Sequence, residues 1–406
     1  MAPPPRPHPL ARGALAQRVN DFLGTAWDKG WLPPPNLDPD ALWSLAAKPY
    51  GAQAEAVEHG GRSDEDVADF RERLTRMIAA VEAEADLNPL GRAMAWGQLS
   101  RQVKNRLAFG ALWRERPALF ETPLAPPIIV IGHMRSGTTR IHKLLAADPA
   151  FSHTRYCDAY HPLPQGRWAR FGMARVASAL ELALLAALNP WMQSIHPMTA
   201  GGVEEELAWI SAALHHSIYE SQWHIPSYSA WSEARGPAPV YREFARILKT
   251  DAANRGLADR PRVMKVPAFA EDLDTLLALF PDARLVRAER AHEAVLKSAV
   301  SLAANQMAVQ SDSCDMGAIT ARWQHKIALR EERIAAALAN WNGPVARLSF
   351  DEINADWEGA IARCYDALGL AFTPQALAAM RKMMAASEGG DHHAHAAQLA
   401  RFAEAG

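Results

Sequence analysis

The run Ile128-Ile129-Val130-Ile131-Gly132-His133-Met134-Arg135-Ser136-Gly137-Thr138-Thr139-Arg140-Ile141-His142-Lys143-Leu144-Leu145 decides how this chain is read. Its first four residues are apolar and β-branched, as in a strand buried on both faces of a parallel sheet. A turn bounded by Gly132 and Gly137 follows. Ile141, Leu144 and Leu145 then recur at helical spacing. A strand that passes into a helix through such a turn leaves backbone N–H groups free at the helix N-terminus. Those groups and the helix dipole bind anions, phosphate above all.

The spacing from Gly132 to Gly137 is that of a P-loop. Where a nucleoside triphosphatase carries lysine, this chain has Thr138, and the cation comes earlier, at Arg135. A planar guanidinium can hold a phosphate through two hydrogen bonds. Thr138 and Thr139 add hydroxyl groups. The loop is suited to a phosphate but lacks the lysine that serves the outer phosphates of ATP. Arg135-Ser136-Gly137-Thr138-Thr139 after a strand resembles the 5′-phosphosulfate loop of sulfotransferases that use 3′-phosphoadenosine 5′-phosphosulfate (PAPS).

A second stretch, Arg290-Ala291-His292-Glu293-Ala294-Val295-Leu296-Lys297-Ser298, follows a strand candidate at 283–288. Arg290 falls at the strand's carboxyl end, where ligands of open α/β sheets bind. Members of the PAPS family read the 3′-phosphate with an arginine after a strand and a serine eight residues on, and Arg290 and Ser298 keep that spacing. Phe280-Pro281-Asp282-Ala283-Arg284 and Arg262-Val263-Met264-Lys265-Val266-Pro267 resemble further family stretches. The similarity runs from about 37 to about 370. Three positions depart from it: Cys157, Phe269 and Ala291.

The resemblance implies an α/β fold, a P-loop-type parallel sheet flanked by helices, with an N-terminal helical region and a helical insert. The expected divisions are a flexible proline-rich leader at 1–36, a helical region at 37–120, the α/β domain at 121–386 with its insert at about 168–250, and a tail at 387–406. Strand candidates at 262–266, 283–288 and 345–350 alternate with helical patterns, which independently argues a parallel sheet with helices on both faces. The helical pattern at 204–218 is expected as one element. His392, His393 and His395 in the tail read as a solvated end rather than a metal site.

Composition sets bounds. The 406 residues are 49% hydrophobic and carry 43 basic and 45 acidic side chains, so no basic field points to nucleic acid. Cys157, Cys314 and Cys364 are far apart and show no metal or disulfide spacing, which fits a cytoplasmic protein. The longest apolar stretch, 176–191, contains Glu181 and is short for a membrane span. Peripheral membrane contact and a homodimer are left open.

The implied reaction moves the sulfuryl group of PAPS to a hydroxyl or amine of a small, apolar or lipid-like acceptor. The aromatic residues of the insert motivate the apolar acceptor. Arg135 and the amides of Ser136, Gly137, Thr138 and Thr139 are expected at the 5′-phosphosulfate, and Arg290 and Ser298 at the 3′-phosphate. Lys265, at a neighbouring strand end, is a candidate to meet developing charge. Asp158 is the first choice as general base, with Glu205 and His196 as alternates. No metal is expected. Two other readings stand beside this one: a non-catalytic nucleotide-binding relative and a P-loop kinase using ATP.

Overall fold

Ile128–Ile131 forms β1, the middle strand of the sheet. In the computed structural model, which describes residues 6–163 and 172–387, the other strands are β2 (Ser152–His153), β3 (Arg262–Lys265), β4 (Arg284–Glu289) and β5 (Val345–Ser349). They pair in the order β2-β3-β1-β4-β5, and every pair is parallel. Val130 stands in register with Lys265 on one side and Val286 on the other. All carboxyl ends therefore lie along one edge. The Gly132 turn, Lys265 and the residues after Glu289 are neighbours there.

Both faces of β1 are covered, as its unbroken apolar run requires. Ile128 and Val130 pack with Leu144, Leu145, Leu348 and Tyr365. Ile129 and Ile131 pack with Phe244, Met264 and Leu285 on the opposite face. The alternation follows from the two-residue period of a strand.

The N-terminal region is helical. Asp38 caps Pro39–Ala47 by accepting the Ala41 N–H at 2.8 Å, and a capping box of Ser63 and Asp66 opens Asp64–Glu84. Pro89–Glu115 is the longest helix described.

Three expectations need correction. The stretch taken as a loose leader contains a helix, Ala14–Asp28, with Ala16 and Ala26 buried. Arg12 ties it down by donating to the carbonyls of Ala308 and Ser311, each at 2.8 Å. Flanking prolines drew the reading away from its helical spacing. The pattern at 204–218 is broken into Leu207–Ser211 and His216–Tyr219, with Leu214 at a positive φ of 59° between them. Phe350 belongs to no strand; it starts the short helix Phe350–Ala355 after β5. His392, His393 and His395 lie outside the described residues, as does 164–171 in the insert.

Candidate active site

The turn after β1 has backbone geometry that its glycines permit. Gly137 has φ 89°, and a Cβ there would lie 3.1 Å from the Phe350 ring. Gly132 has φ 140°, and a Cβ there would come within 2.7 Å of the Ala288 carbonyl oxygen. Arg135 adopts φ 69° without being glycine. Such a conformation costs on the order of 1 kcal/mol and is common at ligand-binding turns. Ser136 closes the loop: its N–H and its Oγ both donate to the His133 carbonyl, at 3.2 and 2.6 Å. The helix Thr138–Ala146 begins directly after, so the Thr138 and Thr139 amides have no intrahelical acceptor, while the Arg140 N–H donates to the Gly137 carbonyl at 3.0 Å.

Two distant segments of the chain meet at this loop. Arg135 Nε donates to Ser298 Oγ at 2.8 Å, and its Nη1 donates to the Ile195 carbonyl at 2.8 Å. Arg290 Nη1 donates to the Arg135 carbonyl at 2.7 Å, and its guanidinium lies 3.8 Å from the Phe350 ring centroid. The structure thus brings Arg135, Arg290 and Ser298 together, with Ser298 bonded to Arg135. Neither guanidinium forms an ion pair among the described residues. Burial and the Arg290 charge lower the pKa of Arg135, and burial lowers that of Arg290 against the opposing charge of Asp351. Two neighbouring cations without ion-pair partners suit a polyanionic ligand such as PAPS.

Two residues were missed by the sequence reading. Arg140, in the first turn of the loop helix, donates to Asn354, and its buried Nε has no partner. Its place one turn from Gly137 was the available signal. Phe350 covers both Gly137 and Arg290, and nothing local in the sequence marks it.

Lys265 reaches the same loop from the end of β3. Its Nζ donates to Thr139 Oγ1 at 3.2 Å and is paired with Glu205. Glu205 N–H donates to Glu204 at 2.9 Å, and Glu204 stands 3.5 Å from His196 Nε2. Burial pushes Glu206 up to about 7, against the opposing hydrogen bond from the Lys265 N–H at 2.9 Å.

Asp158 is placed differently from the expectation. Its carboxylate takes two hydrogen bonds from the Arg155 guanidinium, at 2.7 and 2.8 Å, and lies 3.1 Å from Arg255. Burial raises its pKa, but the Arg155 hydrogen bonds and the Arg255 charge outweigh that and hold it below the usual range. The alternates Glu205 and His196 are the groups nearer the loop: Glu205 through Lys265, and His196 through the Ile195 carbonyl that holds Arg135.

Three groups of histidine and acidic side chains have ligand atoms within 4.8 Å of one another: His133/His292/Glu331, His196/Glu204/Glu205 and His216/Glu233/Glu271. Each already has a protein cation on one of its carboxylates. Arg287 is 2.8 Å from Glu331, Lys265 pairs with Glu205, and Lys326 is 2.9 Å from Glu233.

A parallel sheet whose central strand ends in an anion-binding loop, with two unpaired arginines at its carboxyl edge, defines a P-loop-type nucleotide-binding protein. The chain matches the family model described as "Sulfotransferase family" over residues 126–374. It is similar to the crystal structure of sulfotransferase STF1 from Mycobacterium tuberculosis H37Rv, at 28% identity and TM-score 0.74, over 90% of this chain and 98% of that one. It is also similar in fold to sulfotransferase STF9 from Mycobacterium avium, at 21% identity and TM-score 0.75, over 86% of this chain and 88% of that one. No curated protein matches. The chain belongs to the sulfotransferase family and is a PAPS-dependent sulfotransferase of bacterial type. No described helix is long and apolar enough to cross a membrane.

Proposed function

We propose that this enzyme transfers the sulfuryl group of PAPS to the hydroxyl of a small apolar or lipid-like acceptor, with an amine as the alternative nucleophile. The observation that carries the donor assignment is the pair of guanidiniums, Arg135 and Arg290, neither in an ion pair among the described residues. Arg135 and the amides from Ser136 to Thr139 hold the 5′-phosphosulfate. Arg290 and Ser298 hold the 3′-phosphate.

In the transfer, the acceptor oxygen forms a bond to sulfur as the bond from sulfur to the bridging phosphate oxygen breaks. Negative charge grows on that bridging oxygen. Lys265 is the cation positioned to meet it. As Lys265 turns toward the donor, Glu205 is released from its pair and takes the acceptor proton. The placement of Asp158 between Arg155 and Arg255 supports a structural part for that carboxylate. Tyr156 and Tyr160 stack at 4.4 Å beside Asp158, which supports an aromatic-walled acceptor side.

Thermal shift with adenosine 3′,5′-bisphosphate, adenosine 5′-phosphate and ATP with magnesium tests the donor assignment. A ligand at a hundred times its Kd stabilises by about 2.7 kcal/mol. The bisphosphate should raise Tm well above the other two; equal shifts, or a preference for ATP, would remove PAPS as the donor. Transfer of labelled sulfate from PAPS into a lipid extract then tests the acceptor class, and label appearing only in water-soluble products would overturn it.

A further inference from the structure

Three elements bring two histidines and one carboxylate together beside the donor loop, and no step of the transfer uses them. His133 lies in the turn after β1, two residues before Arg135. His292 opens helix His292–Gln310, two residues after Arg290. Glu331 reaches both from helix Met316–Ala339. His133 Nε2 is 2.8 Å and His292 Nε2 3.7 Å from the same oxygen, Glu331 Oε1. The two rings stand nearly perpendicular, at 81°, with centroids 5.5 Å apart.

The spacing suits a tetrahedral metal centre. Ligand atoms about 2.0–2.1 Å from zinc lie about 3.3 Å from one another. The two separations fall on either side of that value, and all three ligand atoms lie within 4.8 Å of one another. A cation between Nε2 and Oε1 takes the place of the proton they share. His133 Nδ1 is buried without a partner, so it can carry the ring proton while Nε2 faces the metal. The His133 side chain is 4% exposed and that of His292 59%, so one ligand is fixed in the protein and another stands at an open approach.

The neighbouring cations leave the position between the three ligands open. Arg287 Nη2 donates to the other oxygen, Glu331 Oε2, at 2.8 Å. Such an outer partner orients a ligating carboxylate rather than displacing its metal. Arg330, whose charge also reaches His133, gives two hydrogen bonds to Glu271, at 2.8 and 2.7 Å. The group at His216 differs. There Lys326 Nζ meets Glu271 Oε2 and Glu233 Oε1, the same two oxygens that His216 Nε2 meets, so an ammonium already fills the centre.

We propose that His133, His292 and Glu331 bind a zinc ion, with water in the fourth position, and that the ion ties the Arg135 turn to the Arg290 turn. Two imidazoles and one carboxylate select zinc over magnesium, which favours all-oxygen sites. The proposal does not rest on the donor or acceptor assignment, because its ligands belong to neither. His392, His393 and His395 in the tail are competing ligands, so the full chain is titrated with zinc chloride in the background His392→Ala/His393→Ala/His395→Ala, after dialysis against EDTA and then chelator-free buffer. Calorimetry should show one zinc ion bound per chain with a Kd in the micromolar range, and magnesium bound far more weakly. Adding His292→Ala should weaken zinc binding by about a hundredfold or more, since losing even an outer partner costs up to that much. The Tm without zinc should not change, because the His292 ring is exposed, and zinc should raise Tm only where His292 is present. The proposal fails where the tail variant binds no zinc at this strength. It also fails where His292→Ala leaves the affinity as it was.

Discussion

Two clusters of charge in this molecule contrast in how they are balanced. On helix Met316–Ala339 the half-buried Arg322 and the buried Lys326 and Arg330 face the acids Glu220, Glu233 and Glu271. Lys326 lies 3.1 Å from Glu220 and is paired with Glu271, which Arg330 meets at 2.7 Å. His216 Nε2 lies 3.0 Å from Glu271, and burial and the Lys326 charge lower its pKa to about 4. At the sheet edge, Arg135 and Arg290 have carbonyls, a serine hydroxyl and an aromatic ring as partners and no ion pair among the described residues, although the charge of Asp351 reaches Arg290. The first cluster is complete within the protein. The second has no internal ion pair, and that imbalance is what a site for an anion requires.

The largest effect expected from this contrast is on stability. Lys326→Met removes the buried cation shared by three carboxylates, leaves only Arg322 and Arg330 to balance them, and should cost about 3–5 kcal/mol of stability. The folded fraction should bind adenosine 3′,5′-bisphosphate as wild type does. Urea unfolding and nucleotide titration read the two quantities separately; wild-type stability in this variant would end the distinction between the clusters.

Arg135→Ala should behave in the opposite way. It removes two charge-assisted hydrogen bonds to the ligand, so calorimetry should show nucleotide affinity reduced about a hundredfold. No internal ion pair is broken, so Tm without ligand should stay near wild type. A large loss of Tm with intact affinity would show that the guanidinium is structural.

Glu205→Gln separates proton transfer from binding. General-base catalysis is worth about a hundredfold or more, so the transfer rate should fall by that order while nucleotide affinity is kept. The matching variant Asp158→Asn should leave the rate of the folded enzyme close to wild type. The reverse result would return the base to Asp158.

The smallest effect concerns Glu206. Its pKa is raised by burial from an ordinary 4.5 to about 7. Below the ordinary value the carboxyl is protonated folded or unfolded, and the group costs nothing. Between 4.5 and about 7 the unfolded chain ionises this group while the fold keeps it protonated, so stability falls across that window and is level above it. Glu206→Gln keeps an acceptor for the Lys265 N–H and removes the ionisation. Its Tm relative to wild type should be a few degrees more favourable at pH 8 than at pH 5. A gap that does not change with pH would mean that Glu206 ionises without penalty.

The fold was legible where neighbouring residues carry it. β1, its glycine turn and the following helix are one contiguous stretch, and the apolar run of β1 requires the covered faces that the structure has. Arg290 and Ser298 were chosen because a strand end and a helical offset are local patterns. Helix Ala14–Asp28 was missed because prolines on both sides outweighed its spacing. Asp158 was preferred by chain position, which carries no information about Arg255, a partner almost a hundred residues away.

The sequence alone determined the parallel sheet, the anion-binding loop and the two arginines, because strand period, turn geometry and helix start are set by residues next to one another. Tertiary structure decided which charges are spent. It paired Asp158 with arginines, joined Lys265 to Glu205, laid Phe350 over Arg290 and left Arg135 and Arg290 without ion pairs among the described residues. Pairing depends on distances between segments far apart in the chain, and those distances exist only once the sheet has brought its strand ends together.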